Sequence, residues 1–179
     1  MEIINTPIKD IVIVKPKIFE DNRGYFFESF RQDSFDEEGD FNFVQDNQSM
    51  SAKGILRGLH FQKPPFAQGK LVRVIKGGVL DVVVDIRKDS KTYGKSFSIE
   101  LTEENKTMFW VPPGFAHAFL TLEDDTIFVY KCTEYYNKDS EDAIAWNSPE
   151  LEIDWGIKNP ILSEKDKEAT LFKNFQTPF

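Results

Sequence analysis

The stretch Lys70-Leu71-Val72-Arg73-Val74-Ile75, Lys76-Gly77-Gly78, Val79-Leu80-Asp81-Val82-Val83-Val84-Asp85-Ile86 decides the fold. It holds two runs rich in β-branched residues, parted by two glycines. Glycine supplies the positive φ of a tight turn, so the pair reads as two strands joined by a short hairpin. Side chains alternate along a strand. In the second run Leu80, Val82, Val84 and Ile86 therefore share one face, and Asp81 and Asp85 share the other with Val79 and Val83.

The same pattern extends outward. Phe97-Ser98-Ile99-Glu100-Leu101 alternates apolar and polar, as a half-buried strand does. Turn signals follow at Asp89-Ser90, Glu103-Glu104-Asn105, Pro112-Pro113-Gly114 and Glu123-Asp124-Asp125. Their spacing of about ten residues suits an antiparallel sandwich or barrel. Further strands are expected over residues 106–111, 115–122 and 126–134. Helical signals are weak and peripheral: one or two turns over residues 33–38, and a capping-box-like Ser163-Glu164-Lys165-Asp166 leading into residues 167–172. The pattern predicts an all-β jelly roll or barrel with short peripheral helices, as one domain over residues 1–179.

Composition narrows the function classes. The chain has 22 Lys+Arg against 30 Asp+Glu, a net charge of −8, which argues against sequence-independent binding of nucleic-acid polymers. One cysteine excludes an intramolecular disulfide and a cysteine-built zinc site, and two histidines exclude a three-histidine metal site. Met1-Glu2-Ile3-Ile4-Asn5 is no secretory signal, and no stretch approaches the roughly 20 apolar residues of a membrane span. The expectation is a cytoplasmic protein with no membrane partner.

Few residues are suited to chemistry. In Leu56-Arg57-Gly58-Leu59-His60-Phe61-Gln62, strict alternation puts Arg57, Leu59 and Phe61 on one face and His60 with Gln62 on the other. His117 lies in Pro112-Pro113-Gly114-Phe115-Ala116-His117. A histidine in an apolar strand is more often a hydrogen-bonded core residue, but a neutral imidazole is also the natural general base at neutral pH. The spacing Pro112-x-Gly114-x-x-His117 is also that of a cupin metal motif. Two histidines plus a carboxylate form a legal metal site, ranked here below a metal-free one. Arg23, Arg57, Lys70 and Arg73 stand apart from the acidic runs. Each reads as a snorkelling side chain or, together, as a pocket for an anion such as a diphosphate. Tyr25, Phe26, Phe27, Phe61, Phe66, Tyr135 and Tyr136 lie near these bases, and a few of them suit stacking on a nucleobase. Taken locally, Asp166 reads as a helix-start carboxylate, Tyr130 as a strand tyrosine and Cys132 as a small buried hydrophobe.

Several blocks in order carry a resemblance. They include Asp21-Asn22-Arg23-Gly24-Tyr25-Phe26-Phe27-Glu28-Ser29, Phe43-Val44-Gln45-Asp46-Asn47 and Leu56-Arg57-Gly58-Leu59-His60-Phe61-Gln62. Gln68-Gly69-Lys70-Leu71-Val72-Arg73, Val111-Pro112-Pro113-Gly114-Phe115-Ala116-His117, Tyr130-Lys131 and Leu162-Ser163-Glu164-Lys165-Asp166 continue it. Over nearly its whole length the chain resembles the dTDP-4-dehydrorhamnose 3,5-epimerase family. That resemblance implies a cupin-like jelly roll that works without metal or other cofactor, as a homodimer, on a dTDP-sugar. It implies His60 as general base with Asp166 as its carboxylate, Tyr130 as general acid on the opposite face, and Lys70 beside the substrate ketone. It places Arg23, Glu28, Gln45, Asn47, Arg57, His117 and Glu141 along the sugar-nucleotide site, and Lys165 more loosely with them. Ala118 departs from the pattern, because a glycine is common there. Alternatives to the 3,5-epimerase are a single-position epimerase, a metal-dependent cupin enzyme and a cupin that binds a sugar nucleotide without turnover.

Overall fold

The computed structural model describes residues 1–33 and 42–179. Strands are numbered in chain order. One sheet has six: β1 (Glu2–Asn5), β2 (Val12–Lys15), β10 (Met108–Val111), β7 (Lys70–Lys76), β12 (Thr126–Cys132) and β5 (Gln45–Ser51), in that spatial order. The facing sheet has five: β13 (Glu141–Ala143), β6 (Leu56–Gln62), β11 (Phe115–Thr121), β8 (Gly78–Asp85) and β9 (Ser96–Thr102). A separate hairpin joins β3 (Phe19–Asp21) to β4 (Gly24–Phe26). Among the described residues every pairing between these strands is antiparallel. This is a cupin-like jelly roll. Among the described residues no helix is long and apolar enough to cross a membrane.

The shared core explains the strand patterns. Val72, Val74, Phe109 and Phe128 of the six-stranded sheet meet Val79, Val83, Leu101 and Phe119 of the five-stranded one. Phe119 stacks on Phe128 across the two sheets with ring centres 4.2 Å apart. Burying each such side chain contributes roughly 1.5–3 kcal/mol. The other face of β8 is covered too: Val82, Val84 and Ile86 pack under Trp155, Phe172, Phe175 and Phe179. That explains a strand with valines on both faces.

Three sequence expectations change. First, Gly77 does not close a hairpin. β7 pairs with β10 and β12, whereas β8 pairs with β9 and β11, so the turn carries the chain from one sheet to the other. Gly77 takes φ +75°, and Thr126 closes over it, so a side chain there would strike Thr126. Local turn chemistry was read correctly; the pairing partners are set by distant strands. Second, the C-terminal helix is one turn, α1 (Glu164–Lys167), with Ser163 as N-cap. It does not run on, because Thr170 is drawn into a bridge beside Ile144 and accepts from the Ala145 N–H at 2.9 Å. Residues 172–174 form a separate 3-10 turn. Third, Arg57 does not lie on the face opposite His60. His117 pairs with His60, but Phe119 pairs with Arg57, so β6 carries one residue more than β11 between those pairs. This bulge, at Gly58 with φ +128°, resets the alternation. Leu56, Leu59 and Phe61 then share the outer face, and Arg57 reaches across to Ser51 Oγ on β5. The helix expected over residues 33–38 lies, beyond Asp33, outside the described residues.

The end of β8 is held by a buried carboxylate. Asp85 is fully buried and accepts from Arg87, Ser90 and Thr92. Burial alone would raise its pKa, but these bonds outweigh it and bring the value to about 2 from 3.8. A depressed carboxylate stabilises the fold above its unfolded pKa, and that stability is lost as the pH falls through the folded value. At neutral pH the contribution is about 2 kcal/mol. Asp85→Asn should therefore lower stability at pH 7 by about that amount and flatten the loss of stability between roughly pH 4 and 2. Denaturant titrations at several pH values check both, and an unchanged acid limb in the variant would contradict the assignment.

Candidate active site

At one end the apolar core gives way to a polar cavity of about 430 Å3 between the sheets. Gln45, Asn47, Lys70 and Tyr130 line it from the six-stranded sheet, and His60, Gln62 and Glu141 from the five-stranded sheet. The register explains the grouping. Tyr130 is opposite Asn47, and Cys132 is opposite both Gln45 and Lys70, so alternate residues of β5 and β12 face inward with the start of β7.

His60 Nε2 lies 2.5 Å from Asp166 Oδ1. Asp166 is buried at the start of α1, where Ser163 Oγ donates to its Oδ2 at 2.8 Å and accepts from its backbone N–H at 3.2 Å. Burial would raise the Asp166 pKa, but the bond and charge of His60, with Ser163 and Lys165, hold it below the usual carboxylate range. An ionised Asp166 accepts the Nε2–H and leaves Nδ1 as the basic nitrogen of the ring. The local capping box thus also orients a histidine 106 residues away.

On the other wall, burial pushes the Tyr130 hydroxyl up to about 12, with Cys132 and Glu141 adding to the rise and Arg57 opposing it. At neutral pH the phenol is protonated and can donate. Lys70 Nζ lies 5.7 Å from the centre of the Tyr130 ring. Burial lowers the Lys70 pKa, opposed by the charges of Cys132, Glu141 and Asp81. At the rim, Glu141 Oε2 accepts from Lys165 Nζ at 2.5 Å and from the Tyr136 hydroxyl at 2.8 Å. Burial would raise Glu141, but these two bonds and the charges of Lys165 and His60 hold it down.

The two histidines are cross-strand partners, yet each takes its own carboxylate. His117 does not line the cavity: it is buried, and its Nε2 sits 2.9 Å from both oxygens of the fully buried Asp81. Among the described residues no three histidine, cysteine, aspartate or glutamate side chains converge as a metal site would require.

A sequence profile described as dTDP-4-dehydrorhamnose 3,5-epimerase matches residues 5–174. The chain belongs to the dTDP-4-dehydrorhamnose 3,5-epimerase family. It is an isomerase by that membership. A relative of that name from Shigella flexneri is 51% identical over 174 residues, covering 96% of each chain. The crystal structure of a dTDP-4-dehydrorhamnose 3,5-epimerase from Elizabethkingia anophelis is 48% identical, with TM-score 0.92 over 97% of each chain. A dTDP-6-deoxy-D-glucose-3,5-epimerase from Legionella pneumophila, solved in complex with dTDP-4-keto-L-rhamnose, is 47% identical. Its TM-score is 0.93, over 98% of this chain and 94% of that one.

Against the family expectation, His60, Lys70, Tyr130, Gln45, Asn47 and Glu141 come together around the cavity, with Asp166 bonded behind His60 and Lys165 at the rim. Arg57 is close enough for its charge to act on Tyr130. Arg23 and Glu28 are not brought there within the chain. Arg23 is exposed on the β3–β4 hairpin and bonds Asp21, and Glu28 pairs with Arg31. Arg73 is also elsewhere, with its guanidinium 5.9 Å from the Phe27 ring centre. The departure at Ala118 is accommodated by Gly58, whose missing side chain leaves the space that the Ala118 methyl fills. Gln62 and Gln68 also line the cavity, although no role is expected for them from the sequence, and so does Tyr136, one of the aromatics suited to stacking. The one available signal was that strict alternation puts Gln62 on the same face as His60.

Cys132 is fully buried. Burial raises its thiol pKa, and Lys70 and the bond from Asn47 oppose this only in part. The folded protein should leave this thiol unmodified by a water-soluble disulfide reagent at mildly alkaline pH, and unfolding should release one reactive group. Rapid labelling of the native protein would contradict that placement.

Proposed function

We propose that the protein converts dTDP-4-dehydro-6-deoxy-D-glucose to dTDP-4-dehydro-L-rhamnose by inverting both carbons that flank the ketone. The observation that carries this reading is the placement of His60 and Tyr130 on facing sheets across one cavity. Inversion beside a ketone removes a proton from one face and returns one to the other, through an enolate. His60 takes the first proton at Nδ1, and Asp166 stabilises the imidazolium that forms. Such a base contributes roughly 10²–10⁴-fold. Lys70 places positive charge by the developing enolate oxygen, a kind of stabilisation worth about 3–4 kcal/mol per donor. Tyr130 then donates its phenolic proton from the far wall. The phenolate regains a proton and the imidazolium loses one to solvent, which resets the site. His60 and Tyr130 account for every proton moved, so no metal or redox cofactor is required.

Gln45, Asn47 and Arg57, with Glu141 and Lys165 at the rim, are assigned to holding the sugar nucleotide. His117 supports the cavity wall from behind through Asp81. Arg23 and Glu28 fit the same scheme in a homodimer, where the exposed hairpin of one chain reaches the cavity of its partner. The hairpin's exposed Phe19, Tyr25 and Phe26 favour this, because exposed aromatics close together suit a partner surface. We assign this reaction to the cytoplasm.

His60→Asn should cut both solvent-deuterium exchange beside the ketone and net inversion by at least about a hundredfold. Tyr130→Phe should cut inversion far more than exchange. Exchange at the wild-type rate in the first variant, or equal losses in the second, would overturn the assigned roles. Sedimentation should give twice the mass of one chain, and a monomer that retains full activity would contradict the shared site.

A further inference from the structure

Gln62 ends β6 two residues beyond His60 and is only 5% exposed. Its Nε2 donates to the carbonyl of Phe66 at 2.7 Å and to that of Tyr135 at 3.2 Å, and its Oε1 accepts from the N–H of Asn137 at 2.8 Å. Both amide hydrogens are thus used. The flipped amide would set its oxygen against two carbonyls, so the partners fix the orientation.

These partners lie on two different crossings. Residues 63–69 take the chain from β6 in the five-stranded sheet to β7 in the six-stranded one. Residues 133–140 take it from β12 back to β13. One buried side chain therefore ties together both crossings at the polar end of the sandwich. The strands they join carry His60 on one wall and Lys70 and Tyr130 on the other. At the apolar end the sheets are held apart by packing, as in the contact of Phe119 with Phe128. At the cavity there is open space instead, and the spacing depends on what fixes the crossings. Gln68 also bonds one crossing to the other, through the Glu134 carbonyl at 2.7 Å, but both of those groups lie in the connections themselves. Gln62 is anchored in the strand that carries His60.

We propose that Gln62 is a positioning residue that fixes the distance between the His60 wall and the Tyr130 wall, and so couples proton removal to proton return. This rests on the reaction proposed above. Reacting atoms must come within about 3–3.5 Å, and a misplacement of about 1 Å can cost roughly a hundredfold. A gap that widens at the rim leaves the sugar near His60 but too far from Tyr130. The enolate then takes its proton back from the side it lost it.

Two variants separate this from a role in folding. Gln62→Met keeps the length and loses all three bonds. Gln62→Glu keeps the shape and the acceptor for the Asn137 N–H, but cannot donate to the Phe66 and Tyr135 carbonyls when ionised. With both variants folded, as judged by circular dichroism, amide hydrogen exchange over residues 63–69 and 133–140 should be at least about tenfold faster than in the wild type. In D₂O with dTDP-4-dehydro-6-deoxy-D-glucose, net inversion should fall at least about tenfold while deuterium exchange stays within about threefold. Unchanged loop protection, equal losses of exchange and inversion, or failure of both variants to fold would each overturn the proposal. Loop exchange needs no substrate. A wild-type protein that inverts nothing would therefore contradict the reaction, while the loop measurement still decides the role of Gln62.

Discussion

Two β-sheets that share an apolar core stand roughly 10 Å apart, and here that spacing also sets the width of the cavity. Phe109, Phe119 and Phe128 fill the gap over most of its length. Where those side chains end, the same gap opens onto histidine, lysine, tyrosine and glutamine. Any ligand ring held there has a different sheet on each side. Chemistry that needs opposed groups is thus supplied by the architecture, since groups on two packed sheets cannot collapse onto one another.

The electrostatics follow from the same partition. The site removes Tyr130 and Lys70 from water, which favours the neutral form of each. For Tyr130 that means a phenol that stays protonated at neutral pH. For Lys70 the neighbouring Glu141, Cys132 and Asp81 resist the loss of charge. On the opposite wall Asp166 is buried but remains an anion, because His60 and Ser163 both bond to it. Burial therefore has opposite outcomes for Tyr130 and Asp166, according to whether a bonded partner is supplied. The acidic surface of the chain does not conflict with an anionic ligand, since the charges at this cavity are local.

Much of this was legible in the sequence, at different levels. The β-rich pattern and regular turn spacing were enough for an all-β sandwich. They were not enough for the sheet partners: the Gly77 turn looks like any hairpin turn, and only the pairing of β7 with β10 and β12 makes it a crossing. Alternation failed at Arg57 because a bulge leaves no clear mark beyond Gly58 itself. Ser163-Glu164-Lys165-Asp166 was readable as a cap, but not as the holder of His60, since that contact spans 106 residues. His60, Tyr130, Lys70 and Asp166 were singled out together only through the family resemblance. Gln62 shows the limit in another way: its role depends on three backbone groups in two crossings, and backbone partners leave no trace in the identity of the residues that supply them.

In the reaction we propose, one cavity inverts two carbons by proton transfer between facing walls. The most direct measurement is the deuterium content of the product formed by the wild-type protein in D₂O from dTDP-4-dehydro-6-deoxy-D-glucose. A reductase that traps the product as dTDP-L-rhamnose makes it readable by mass spectrometry. The account predicts one deuterium at each carbon flanking the former ketone, both in the inverted configuration. A product inverted at a single carbon, or inverted without uptake of solvent deuterium, would contradict it.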